Sequence, residues 1–154
     1  MDNNPQISEF WMGQAILEAK KSANIGEVPV GALIIYDDMI IARDHNRTII
    51  NNDPTSHAEI NVIKKTSNLL KNHRIVGATL VVTLEPCAMC YGAIIQSRIS
   101  KLIFGAYDMK TGMCGSCLNL QESKCFNHKP EIYGGILEKE CSLLLSNFFR
   151  ERRD

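Results

Sequence analysis

Thr79-Leu80-Val81-Val82-Thr83-Leu84-Glu85-Pro86-Cys87-Ala88-Met89-Cys90 holds two kinds of local structure in twelve residues. Thr79 to Thr83 is rich in β-branched side chains and predicts a short strand. Pro86 stands where a first helical residue is tolerated, so Cys87 to Ser97 predicts a helix. A strand that runs directly into a helix belongs to an α/β layered fold.

The flanking chain repeats the alternation. Ser8 offers an N-cap to a helix whose apolar face is Met12, Ala15, Ile16, Ala19 and Ala23, and Gly26 stops it. Val28 to Ile35 is apolar without alternation, as expected of a strand covered on both faces. Asp37-Asp38 turns the chain toward a hairpin partner over Met39 to Arg43. A helix from about Ser56 to Ser67 and a strand from Leu102 to Ala106 follow. The last helix, from about Ile136, buries Leu137, Cys141, Leu144, Leu145 and Phe148. Residues 118–129 fit no pattern. With no repeat or linker, residues 1–154 read as a single domain with a partly parallel sheet.

Composition narrows the function classes. A chain of 154 residues, 45% hydrophobic and 22% charged, suits one globular core and not a disordered segment. Lys plus Arg equals Asp plus Glu at 17 each. A chain of zero net charge is not built to coat nucleic acid by bulk electrostatics, but net charge alone rules nothing out and a local RNA-binding patch stays open. Met1-Asp2-Asn3-Asn4-Pro5 is polar and slightly acidic, unlike a secretory leader. The longest nearly apolar run, Val28 to Tyr36, is about half of the roughly 20 residues a membrane helix needs. A cytoplasmic protein with no membrane partner is expected. Its six cysteines then stay reduced, as metal ligands, catalytic groups or buried small hydrophobes.

Two short motifs carry chemistry: His57-Ala58-Glu59 and Pro86-Cys87-x-x-Cys90. Catalytic zinc typically takes three protein ligands and leaves a fourth position for water. His57, Cys87 and Cys90 make three, and Glu59 remains as an acid/base. Each motif alone has a plainer reading. Ser56-x-x-Glu59 fits a capping box, and a lone Cys-x-x-Cys can be a redox pair or half a zinc ribbon. Together they are much rarer: both lie at predicted helix starts, with Cys87 28 residues after Glu59. Helix starts favour thiolate over thiol. Residues i and i+2 do not share a helix face, so His57 and Glu59 converge only on a metal near that helix's end.

The sequence resembles the zinc deaminases, whose signature is H-x-E followed by P-C-x-x-C. It is most similar to the bacterial tRNA-specific adenosine deaminases. Glu27 to Ala32, Asn46-Arg47, Asp53-Pro54-Thr55-x-His57-Ala58-Glu59 and Thr83 to Cys90 all carry this resemblance. So do Gly92-Ala93, Ser97-Arg98-Ile99, Phe104-Gly105-Ala106-x-Asp108-x-Lys110-Thr111-Gly112, Asn127-His128 and the end of the chain from Gly135 to Arg153. The resemblance implies a cytidine deaminase-like three-layer α/β/α fold with a five-stranded mixed sheet. It implies one Zn2+ per subunit on His57, Cys87 and Cys90, with Glu59 catalytic. The implied reaction is hydrolytic conversion of adenosine to inosine at the wobble position of a tRNA anticodon stem-loop, by a homodimer. Asn46, Asp108, Lys110, Phe149, Arg150 and Arg153 are the implied RNA contacts. Their plainer roles are a turn asparagine, loop polar groups and a solvated helix end.

Cys114-Gly115-Ser116-Cys117 departs from the family, which usually has small non-cysteine residues at both cysteine positions. It raises a zinc ribbon on Cys87, Cys90, Cys114 and Cys117 as a rival. The gap of 23 residues between the pairs exceeds the usual ribbon spacing of about 15–20, and a ribbon leaves His57 and Glu59 unexplained. A nearer rival keeps the chemistry and changes the substrate to a free guanine, cytosine or nucleoside. His45, His73 and His128 have no motif partners and are expected on the surface or in the core.

Overall fold

The computed structural model describes residues 4–153. In chain order the main elements are α1 (Pro5–Asn24), β1 (Gly31–Tyr36), β2 (Met39–His45), α2 (Ala58–Leu70) and β3 (Thr79–Leu84), followed by α3 (Ala88–Gln96), β4 (Lys101–Ala106), β5 (Glu131–Tyr133) and α4 (Glu138–Arg153). The sheet order is β2-β1-β3-β4-β5. β1 pairs antiparallel with β2 and β3, and β3, β4 and β5 run parallel. This is the expected five-stranded mixed sheet.

The central strands β1, β3 and β4 are largely apolar because both faces are covered. Ala32, Ile34, Leu80, Val82, Leu102 and Phe104 pack with Ala58 and Val62 of α2 and Ile94 of α3. Leu33, Ile35, Val81 and Ile103 point the other way, onto Trp11, Met12, Ala15 and Ile16 of α1 and Cys141 of α4. Adjacent strand residues face opposite sides, so odd and even positions feed separate cores. Three layers result. α1 crosses so close to the start of β1 that a Cβ on Gly31 would run into the α1 backbone at Ala15 and Ala19.

Several local expectations shift. Asn4, not Ser8, caps α1: its side chain accepts from the Gln6 amide, and Pro5 opens the helix. Val28 to Val30 lie outside β1, because Pro29 has no amide to give a ladder and Val30 N turns back onto the Val28 carbonyl. Pro86 precedes the N-cap of α3, which is Cys87. Asp37 and Asp38 do turn the hairpin, both with positive φ (49° and 61°) as a two-residue turn between right-twisted strands requires. Gly26, at φ +82°, follows the last turn of α1. β5 is only three residues, too short to declare itself by alternation.

Candidate active site

Parallel β3 and β4 end side by side, with Leu84 opposite Ala106, and a cleft of about 240 Å³ opens beyond those carboxyl ends. Its lining includes Asn46, His57, Glu59, Glu85, Cys87 and Asp108. Strand ends are where open α/β sheets gather ligands, because the chain must leave the sheet there in loops and helix starts.

His57 is the N-cap of α2 and Cys87 the N-cap of α3, and neither side chain makes a capping hydrogen bond. An N-cap has extended backbone, so its side chain swings off the helix axis and is free for other use. Cys90 follows on the first turn of α3 and is fully buried. His57 Nδ1 lies 3.7 Å from Cys87 Sγ and 3.5 Å from Cys90 Sγ. One ligand atom from each residue falls within 4.8 Å of the others. These three side chains are placed to hold a metal ion. Among the described residues Cys114 and Cys117 do not join them, so the four-cysteine ribbon is not formed.

The protonation pattern follows from this crowding. The Cys87 thiol is pulled down to about 4, chiefly by a hydrogen bond from Cys90, with His57 helping. Cys90 is held up as that donor and by burial. The Cys87 contact also raises His57. A metal cation would take the place of these shared protons.

Ser56 does not form the capping box. Its hydroxyl bonds the Asn61 side chain, and Asn51 donates to it in turn. Glu59 instead sits on the pocket wall, 3% exposed, and burial holds its carboxyl above the usual glutamate range. Because His57 is half outside the helix, the two-residue offset does not separate it from Glu59.

Asn46 is 7% exposed and its backbone is fully engaged, with N donating to Val30 O and O accepting from Ser22 Oγ. No described residue hydrogen-bonds its side-chain amide, which faces the cleft. Asp108 also lines the cleft, but its carboxylate already accepts from the amides of Lys110 and Thr111 and from the Thr111 hydroxyl. Lys110 is exposed beside it. Phe149, Arg150 and Arg153 are exposed on the last turns of α4, outside the cleft lining. Arg152 stacks on the Phe148 ring at 4.0 Å and lies against Gly26, two residues before the cleft-lining Val28.

A tRNA-specific adenosine deaminase of Bacillus subtilis is 48% identical over 145 residues, covering 94% of this chain and 90% of that protein. Its counterpart in Haemophilus influenzae is 43% identical over 150 residues, covering 97% and 87%. The MafB19-like deaminase family model matches residues 7–153. This chain belongs to the tRNA-specific adenosine deaminase family. A tRNA deaminase solved in work on A-to-I editing at the wobble position of transfer RNA superimposes with a TM-score of 0.86 at 41% identity, over 88% of this chain and 99% of that one. A guanine deaminase from Nitrosomonas europaea shares the deaminase fold, with a TM-score of 0.79 at 22% identity over 91% of this chain and 83% of that one.

Two polar residues of this deaminase site escape motif reading. Glu27 and Glu85 are 1% and 2% exposed, and each binds backbone amides of a loop that frames the cleft. Their signal was a lone carboxylate beside apolar residues and a proline: Glu27-Val28-Pro29 and Leu84-Glu85-Pro86. His45 and His128 are structural, bonding the carbonyls of Asn46 and Ile99. His73 is exposed.

Proposed function

We propose that this chain deaminates adenosine to inosine at the wobble position of a tRNA anticodon stem-loop, hydrolytically and with one Zn2+. The observation that carries this reading is the joint presence, in one cleft, of a His57/Cys87/Cys90 cluster and a buried Glu59. It occurs in a chain similar almost end to end to tRNA-specific adenosine deaminases. The donor set fits zinc: two thiolates and an imidazole are ligands it favours. Ligands at about 2.3 Å (S) and 2.05 Å (N) on a tetrahedral centre stand about 3.6 Å apart. The Sγ to Nδ1 separations of 3.7 and 3.5 Å match that spacing without rearrangement.

When bound, zinc acidifies water and so supplies the attacking hydroxide. The protein's own part is to move protons and hold the base. Glu59 takes the proton of the attacking water and gives it to the purine ring nitrogen beside C6, which makes C6 electrophilic. The hydroxide adds to C6, Glu59 then takes the proton of that new hydroxyl and gives it to the amino group, and ammonia leaves as the C6–N bond breaks and the C6 carbonyl forms. Glu59 is placed for this, buried on the cleft wall that His57 and Cys87 also line. The Asn46 amide offers a donor and an acceptor to the base edge or ribose. Asp108 and Lys110 flank the mouth for ribose and phosphate, and Phe149, Arg150 and Arg153 supply stacking and phosphate contact farther out.

The target base must leave its stack to enter, which an anticodon loop permits more cheaply than a duplex. We take residues 1–154 as one deaminase domain acting as a cytoplasmic homodimer. One sheet serves both cores, which supports the single domain, and no described helix is long and apolar enough to cross a membrane. The test is inosine formation in a tRNA with adenosine at the wobble position, with free adenosine, guanine and cytidine assayed beside it. Inosine at that base alone supports the reading. Turnover of a free base with tRNA untouched overturns the substrate and leaves the chemistry.

A further inference from the structure

Glu85 is a buried carboxylate that no lysine, arginine or histidine pairs among the described residues. Burying a charge without a counterion is costly unless hydrogen bonds replace its water. Here they do. Oε1 accepts from the Asp108 amide at 3.0 Å and from the Ser116 hydroxyl. Oε2 accepts from the amides of Cys114 at 2.9 Å and Ser116 at 3.2 Å. These four bonds fill the acceptor capacity of the group, so Glu85 has nothing left to offer a substrate although it borders the cleft.

What the bonds join is informative. The Glu85 backbone continues the β3–β4 ladder, donating to Ala106 O at 2.9 Å, and two residues later comes Cys87 at the start of α3. The loop it gathers runs from Asp108 to Ser116 and supplies Asp108 and Thr111 to the opposite wall. Met113 N also reaches Pro86 O at 3.0 Å. Gly112 lies against the carboxylate so closely that a Cβ there would overlap it. That wall has no regular structure of its own facing the cleft.

We propose that Glu85 is a positioning residue for substrate binding. Its carboxylate locks the Asp108–Ser116 wall to the strand end that carries the metal-facing helix, setting the width of the cleft for the target nucleotide. This rests on the tRNA reading above, since the nucleotide is the group whose fit the wall controls.

The test uses steady-state deamination of a wobble-adenosine tRNA by wild type, Glu85→Gln, Gly112→Ala and Ser116→Ala, with zinc content and unfolding temperature measured on each. Glutamine puts an NH2 donor against amide donors, the alanine at 112 pushes the loop off the carboxylate, and Ser116→Ala removes one bond. Expected are KM increases of about tenfold for the first two and about threefold for Ser116→Ala, with kcat within about twofold and zinc unchanged. A residue that only stabilised the fold would lower the active fraction, hence the apparent kcat, and leave KM alone. Unchanged KM in both Gly112→Ala and Ser116→Ala overturns the proposal, even if Glu85→Gln fails to fold. A wild type inactive on tRNA overturns the substrate reading first, and this inference with it.

Discussion

The metal-facing end of the cleft comes from two helix starts, while the walls around it come from loops. His57, Cys87 and Cys90 lie on or within one turn of an N-cap, so each is oriented by a few backbone dihedrals of its own segment. The walls at 47–52 and 108–116 are turns, bonded within themselves (Asn51 N to Arg47 O, Gly112 N to Asp108 O) but part of no helix or strand. Glu27 holds the first by accepting from the amides of Ile49 and Ile50 at 3.2 and 2.7 Å. Glu85 holds the second. Both carboxylates are distant in sequence from the amides they bind. Each chemical group is therefore oriented by its own helix start, although the cluster itself closes across 30 to 33 residues, whereas the walls that admit a substrate are held by carboxylates from elsewhere in the chain.

The sharpest way to break this division is Glu59→Ala. If the chemical end is self-contained, the variant keeps its zinc, its fold and its KM, and inosine formation falls by at least about 10²–10⁴-fold. A loss of only a few-fold would return Glu59 to a structural role. Next comes the metal. Chelation, or Cys87→Ala, should abolish activity and lower the unfolding temperature, because a ligand bound a thousandfold above its Kd stabilises the native state by about 4 kcal/mol. Restoration by Zn2+ in the chelated wild type, followed by metal analysis, checks it.

A smaller effect is expected at the wall. Glu27→Gln leaves the metal end intact but weakens the hold on Ile49 and Ile50. KM should rise about three- to tenfold with kcat near wild type, at a stability cost of about 1–3 kcal/mol. If kcat fell and KM held, the two ends would not be separable.

Glu18 provides the control, a buried carboxylate away from the cleft that does have cations. Burial pushes it up, but Lys21 at 2.8 Å and Arg43 at 2.9 Å more than reverse this, so it titrates below its ordinary 4.5. A depressed folded pKa adds stability that is complete above the unfolded value and disappears as pH falls through the folded one. The stability gap between wild type and Glu18→Gln should thus be full at neutral pH and close below pH 4.5. Denaturant melts at several pH values measure it, and kcat and KM should stay at wild type.

The same division governs how much was legible beforehand. His57, Glu59, Cys87 and Cys90 stood out because the spacing of their ligand pattern is a property of two short segments. The strand at Thr79 and the helix after Pro86 stood out for the same reason, through β-branched content and a proline at a helix entrance. The N-cap at Asn4 was missed in favour of Ser8, since several polar residues compete to start a helix and only packing chooses among them. Glu85 lay inside the quoted motif, yet its partners at 108, 114 and 116 are invisible to local pattern.

By itself the sequence determined the alternation of strands and helices, the buried strand faces and which residues are candidates to hold a metal. These depend on side-chain type and on spacings of two to four residues. Only the tertiary structure decided that Ser56 and Glu59 are not a capping box, that Cys114 and Cys117 stand apart from the metal group, and that two uncompensated glutamates carry the walls. Those outcomes depend on which amides meet which carboxylates once β3, β4 and the loops beyond them are folded together. A hydrogen bond across 23 to 31 residues has no signature in either of its ends alone.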